Sequence, residues 1–114
     1  MKYDPTRPTD RQYAKTERLA RKALQKAQQL LRYLRWALNS KPNPYGKTTL
    51  LVAELATDSR QSEVDDLVTD RRANVRGEEI NNDRYTLRAA YFRSKFAIRD
   101  LHETRRSAEV FSRG

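Results

Sequence analysis

The sequence predicts an all-α protein, with two long antiparallel helices and two short connecting helices forming an irregular four-helix bundle. Three observations carry this expectation. From Asp10 to Leu38 there is neither Gly nor Pro, and Ala20, Leu24, Ala27, Leu31, Leu34 and Leu38 recur at alternating spacings of four and three residues. Such spacing lines an apolar seam along one side of a helix. The rhythm returns near the C-terminus, where Ile80, Leu87, Tyr91, Ser94, Ile98 and Leu101 fall on one face. Only three Gly occur in 114 residues, too few for the turns of a β-sandwich or for a Gly-rich phosphate loop.

Residues 1–8 hold Pro5 and Pro8 among charged neighbours and read as an extended basic arm, ahead of a single helical domain over 9–114. Thr9-Asp10-Arg11-Gln12 fits a capping box, with Thr9 as the N-cap and Gln12 reaching back from three residues on. The first long helix is expected over 10–38, with a second apolar row of Leu19, Ala23, Leu30, Tyr33 and Ala37. Asn39 to Gly46 should end it, because Pro42 and Pro44 each disfavour helix at the residue before them. A short helix over 49–57 follows, capped by Thr48 or Thr49, and Asp58-Ser59-Arg60-Gln61 reads as a turn. Ser62-Glu63-Val64-Asp65 then opens a helix over 63–75, with Val64, Leu67, Val68 and Val75 on one side. Gly77 breaks that pattern, and the last long helix is expected over 79–111, where small Ala90, Ala97 and Ala108 permit close helix approach.

Composition narrows the function. Without Cys there is no disulfide, thiolate metal site or cysteine nucleophile, and one His (His102) cannot build a two-His or three-His zinc site within the chain. The longest apolar run, Leu50-Leu51-Val52-Ala53, is far short of a membrane span, and MKYDPTRPTDRQ lacks the apolar core of a signal peptide. The expected location is therefore cytoplasmic, or within a particle assembled in the cytoplasm.

The net charge of +9 is segregated. Residues 1–47 carry twelve Lys or Arg against three acids, residues 48–83 four against nine, and residues 84–114 eight against three. On the first helix Arg11, Lys15, Arg18 and Lys22 are spaced 4, 3 and 4, in a row that continues through Gln25, Gln29, Arg32 and Trp36. Arg21, Lys26 and Arg35 flank the row, and only Asp10 and Glu17 oppose it on that helix. A merely solvated face commonly mixes both signs, whereas a one-sign stripe can track a phosphate backbone. Arg88, Arg93, Lys95 and Arg99 on the last helix would add support. Trp36 closes the stripe, either as an exposed stacking residue or in a core or cation–π contact, while Tyr33, Tyr91, Phe92 and Phe96 are expected in the core.

Other motifs carry less. Gly46-Lys47-Thr48 resembles the end of a P-loop, but Lys41 stands where the first Gly is required. Leu50–Val68 could form a helix-turn-helix, yet Glu63, Asp65, Asp66 and Asp70 would repel phosphate from its second helix. Glu63, Asp66 and Asp70 share a face that could ligate Mg²⁺, but a basic helix of the same chain or of another copy is the better partner. His102 lies among Arg99, Arg105 and Arg106 with no nucleophile at helical spacing.

The sequence therefore points to a small non-catalytic nucleic-acid-binding accessory protein, with no metal or cofactor and no membrane partner. The alternative is a structural or assembly subunit of a virion or ribonucleoprotein, whose helices dock on nucleic acid or an acidic protein surface. In either case the thin apolar supply predicts a homo-oligomer or a subunit of a larger assembly.

Overall fold

The computed structural model describes residues 6–40, 44–80 and 83–113. Its helices are α1 (Asp10–Ser40), α2 (Pro44–Val75) and α3 (Arg84–Arg113), with no strand among the described residues. The all-α expectation holds, but the four-helix bundle does not. The two short helices are one continuous α2, and the two long helices run parallel. Arg71, late in α2, reaches Asp10 at the start of α1, so α2 is antiparallel to α1. Lys15 lies over Tyr91 and Arg105 over Tyr33, so α3 rises in the same direction as α1. Because α2 spans the whole bundle, it returns the chain to the start of α1, and the third helix must then run parallel to the first.

The segment 58–61, expected as a turn, stays helical. It holds no Gly or Pro, and turn-prone Asp and Ser each cost only ~0.7 kcal/mol or less against Ala in a helix. Local pairs favour continuation: Arg60 Nη1 bonds Glu63 Oε1 at 3.2 Å, and Gln61 Nε2 donates to Asp65 Oδ1 at 3.0 Å. Packing along α1 decides the outcome. The helix-turn-helix reading falls with the turn. Of the expected loop at 39–46, residues 41–43 lie outside the described residues; Pro44 opens α2, where its missing N–H costs no intrahelical bond. A Cβ on Gly46 would overlap the Leu38 side chain, so Gly here allows α2 to approach the last turns of α1.

α1 is the central element, packing against both α2 and α3. Its buried stripe runs Tyr13, Thr16, Ala20, Ala23, Ala27, Leu30 and Leu34, between the two rows read from the sequence. The three Ala let both neighbours approach closely. Val64 and Leu67 join Tyr13, Ala20, Leu87 and Ala90 in one core cluster, while Ala53 and Leu101 join Ala27, Leu30 and Leu34 in a second. A polar contact ties α2 to α3: Glu63 Oε2 accepts from Arg93 Nε at 3.0 Å, and its Oε1 lies 3.2 Å from Ser94 Oγ, which is fully buried and donates to the Ala90 carbonyl at 2.9 Å. The result is a slender rod, 61 × 18 × 16 Å.

The helix ends at the start of the rod are closed by side chains. The Thr9 N–H donates to Gln12 Oε1 at 2.8 Å and the Gln12 N–H to Thr9 Oγ1 at 3.2 Å, forming the expected capping box. α2 ends on Gly77, whose φ of 74° lies in the left-handed region. Glu78 N–H bonds the Ala73 carbonyl at 2.9 Å and Gly77 N–H the Asn74 carbonyl at 3.1 Å, which is a Schellman closure. α3 begins at Arg84 rather than near residue 79, because Asp83 is its N-cap: Oδ1 accepts the Thr86 N–H at 2.8 Å. That N–H and the Thr86 hydroxyl hold the Asp83 carboxyl below its usual ionisation range.

Of the expected arm, Thr6, Arg7 and Pro8 are described and lie against the ends of α2 and α3; residues 1–5 lie outside the described residues. Asn74 is the hub: its Oδ1 accepts Arg7 Nε at 2.6 Å and its Nδ2 donates to the Pro8 carbonyl at 2.9 Å. Arg7 also donates to the Glu78 carbonyl, and Arg84 N–H to the Thr6 carbonyl at 2.9 Å. The guanidinium of Arg71 grips Asp10 through two bonds of 2.7 and 3.0 Å, which lowers the Asp10 pKa. Beneath this network Tyr13 is fully buried; desolvation, aided by the Asp70 charge, pushes its pKa up to about 12.

Candidate nucleic-acid interface

The outward face of α1 follows from helical phase. With its buried stripe turned to α2 and α3, residues half a turn away point outward, among them Arg11, Arg18, Lys22 and Arg32. All four are exposed and form no ion pair among the described residues. Trp36 continues the row one turn after Arg32; it is 63% exposed and leans on Tyr33 with ring centroids 6.0 Å apart.

The remaining cations on α1 divide by direction. Lys15 and Lys26 turn toward α3: the Lys15 ammonium sits 5.1 Å from the Tyr91 ring centroid, and Lys26 lines a cleft with His102. Arg21 pairs with Glu17 at 3.3 Å, and Arg35 turns to α2, where it meets Glu54 at 3.7 Å. The Arg35–Glu54 pair is largely exposed and worth at most ~1 kcal/mol, so a phosphate can compete for Arg35, whereas the Glu17 that holds Arg21 is mostly buried and also meets Arg71.

On α3 the expected residues separate as well. Arg88 lies over Phe92 at 5.6 Å, Lys95 is exposed, and Arg99 makes only an exposed 3.7 Å pair with Glu103. Arg93 is different. Its head is bound to Glu63 at 3.0 Å in the α2–α3 contact, so it serves the fold. Sequence reasoning sets Arg84 beside Tyr85 among interleaved bases and aromatics but carries neither Arg84 nor Arg106 into the binding set, although Arg84, Arg88, Lys95, Arg99, His102 and Arg106 follow spacings of 4, 7, 4, 3 and 4 along α3. The same spacing rule that exposed the α1 stripe would have found them.

Parallel packing sets this second stripe beside the first. The α1–α3 side of the rod thus carries Lys15 and Lys26 from one helix and Arg84, Arg88, Lys95, Arg99 and Arg106 from the other, next to the outward row Arg11, Arg18, Lys22 and Arg32. Phe92 and Phe96 border it, stacked at 6.4 Å, with Phe96 57% exposed. The core placement expected for these two rings is therefore wrong: α3 turns them outward, and Ala90 and Ala97 occupy the inward-facing positions. Tyr33 and Tyr91 are half-buried.

Between the stripes, Lys26 and Gln29 of α1 face Leu101, His102, Arg105, Arg106 and Glu109 of α3 across a cleft of about 200 Å³. Three of the six acids of α2 stay within the fold, Glu54 and Glu63 meeting arginines of α1 and α3 and Asp70 being buried, while Asp58, Asp65 and Asp66 are exposed. Among the described residues no cluster of three or more His or acidic groups could hold a metal ion, and no helix is long and apolar enough to cross a membrane. Lysine and arginine heads so arranged can bind phosphate oxygens along a strand, and such contacts position a nucleic acid without reading its sequence. No protein-family model, curated protein or solved structure matches this chain.

Proposed function

We propose that this chain is a small, non-catalytic nucleic-acid-binding accessory protein that holds a phosphate backbone along the α1–α3 side of its rod. The observation that carries the reading is the row Arg11, Arg18, Lys22 and Arg32, exposed and without ion pairs among the described residues, beside a second basic stripe on a parallel helix. Recognition is by backbone and shape rather than by a base code. Such a protein would work in the cytoplasm, or within a particle assembled there.

Salt dependence tests the reading. Six phosphate contacts give a log–log slope near −5 for duplex DNA, at roughly 0.9 per contact. Affinity for a random duplex or single strand that does not change between about 50 and 200 mM salt would overturn the proposal. Joint reversal by Arg18→Glu, Lys22→Glu and Arg32→Glu should abolish binding and leave helicity unchanged.

A second reading, a structural or assembly subunit, is favoured by one observation. Leu51, Val52 and Leu55 on α2 are all more than half exposed. Light scattering separates the two readings: a monodisperse monomer at all concentrations counts against the subunit.

A further inference from the structure

The α1–α3 cleft has a chemistry that neither stripe has alone. Lys26 and Gln29 stand on one wall, His102 and Arg106 on the other, and none of these four has a polar partner among the described residues. Arg105 and Glu109, also in the cleft, are already committed: Arg105 Nε bonds Glu109 Oε1 at 3.1 Å, and its guanidinium lies 4.9 Å from the Tyr33 ring centroid. The Glu109 charge is therefore neutralised in place instead of repelling an anion. Three cations face one carboxylate, and the imidazole adds a further donor.

We infer that this cleft is a phosphate seat, in which Lys26, Gln29, His102 and Arg106 donate to the oxygens of a single phosphate group. Donors arriving from two opposing walls suit a tetrahedral oxyanion, whereas a planar carboxylate is best met by one bidentate arginine. About 10–15 Å³ of cleft space already admits one water, so a cleft of about 200 Å³ has room for a phosphate with part of its hydration shell. The phosphate is either that of a bound strand or a free one. The strand as source rests on the nucleic-acid reading; the seat itself rests on the cleft.

His102 is the only histidine in the chain, so its imidazole C–H signals in an NMR spectrum report on the seat without ambiguity. The full chain is titrated at constant pH with pyrophosphate, and separately with a short single strand and a short duplex. The expected result is a saturable shift of the His102 signals in both arms. Arg106→Gln or Lys26→Gln should weaken pyrophosphate binding about tenfold, the value of one charge-assisted contact, with an unchanged thermal melt. If oligonucleotide binds and His102 responds neither to it nor to pyrophosphate, the seat is wrong and the nucleic-acid reading survives. If pyrophosphate saturates His102 and no oligonucleotide binds, the seat stands for free phosphate and the nucleic-acid reading falls. Sodium chloride at matched ionic strength producing the same shift overturns the seat, as does an Arg106→Gln protein that binds pyrophosphate as tightly as wild type.

Discussion

Where α1 begins, Tyr13, Val64, Leu67 and Leu87 fill the core, and Thr9, Asp83 and Gly77 close the helix termini above them, with Asn74 and Arg71 tying the arm and α1 to α2. Where α1 finishes, the core is built around Ala27, Leu30, Leu34, Ala53 and Leu101, while Trp36, Leu51, Leu55 and Val110 remain exposed. The difference shows how a chain poor in large apolar residues distributes them. Among the described residues, capping and inter-helix side-chain hydrogen bonds concentrate at one end, while large apolar groups stay exposed at both, Val75 and Tyr85 at the first and Trp36, Leu51 and Leu55 at the second. The phosphate seat, Trp36 and the exposed α2 leucines all belong to that second half.

Core substitutions break this comparison most directly. Leu67→Ala should lower the unfolding free energy by ~2–5 kcal/mol, because a fully buried leucine leaves a cavity. Leu55→Ala, at a position 59% exposed, should stay within about 0.5 kcal/mol. Chemical denaturation of both variants measures this, and equal losses would mean that the two halves are equally packed.

Alkali gives the next largest effect, again at the closed end. The folded state holds Tyr13 neutral with its pKa raised to about 12, above the usual value near 10. Its contribution is fully present below pH ~10 and is lost as pH rises toward ~12. Thermal melts across that window should fall more steeply for wild type than for Tyr13→Phe; parallel curves would show that Tyr13 ionises as an ordinary phenol.

The smallest effect comes from acid. Asp10, bonded by Arg71, and Asp83, bonded by Thr86, both have lowered pKa values. Their stabilisation is complete above the ordinary aspartate value of 3.8 and is lost as pH falls below it. Amide exchange in the first turns of α1 and α3 should therefore accelerate below that pH before exchange around Leu30 and Leu34 does. The reverse order would show that the Asp10 and Asp83 contacts do not hold the first turns of these helices.

Much of α1 was legible because its signals are local: the Thr9–Gln12 box, the uninterrupted run and the four-and-three spacing all act within a few turns. α2 was not, because Asp58 and Ser59 favour turns locally, and only contact along the length of α1 outweighs that preference. The α1 stripe was readable from spacing, whereas Arg93 was misplaced among the binding residues because its partner Glu63 lies thirty positions away. The cleft was invisible to any single-helix pattern, since Lys26 and His102 meet only through packing.

By itself the sequence determined helical character, the excess of positive charge and its absence from the middle segment, since these depend on neighbours within a turn or on composition. The tertiary structure alone decided how many helices there are, which of them are parallel and which cations are consumed by the fold. Those outcomes depend on groups distant in the chain competing for the same partners, and only packing settles such a competition.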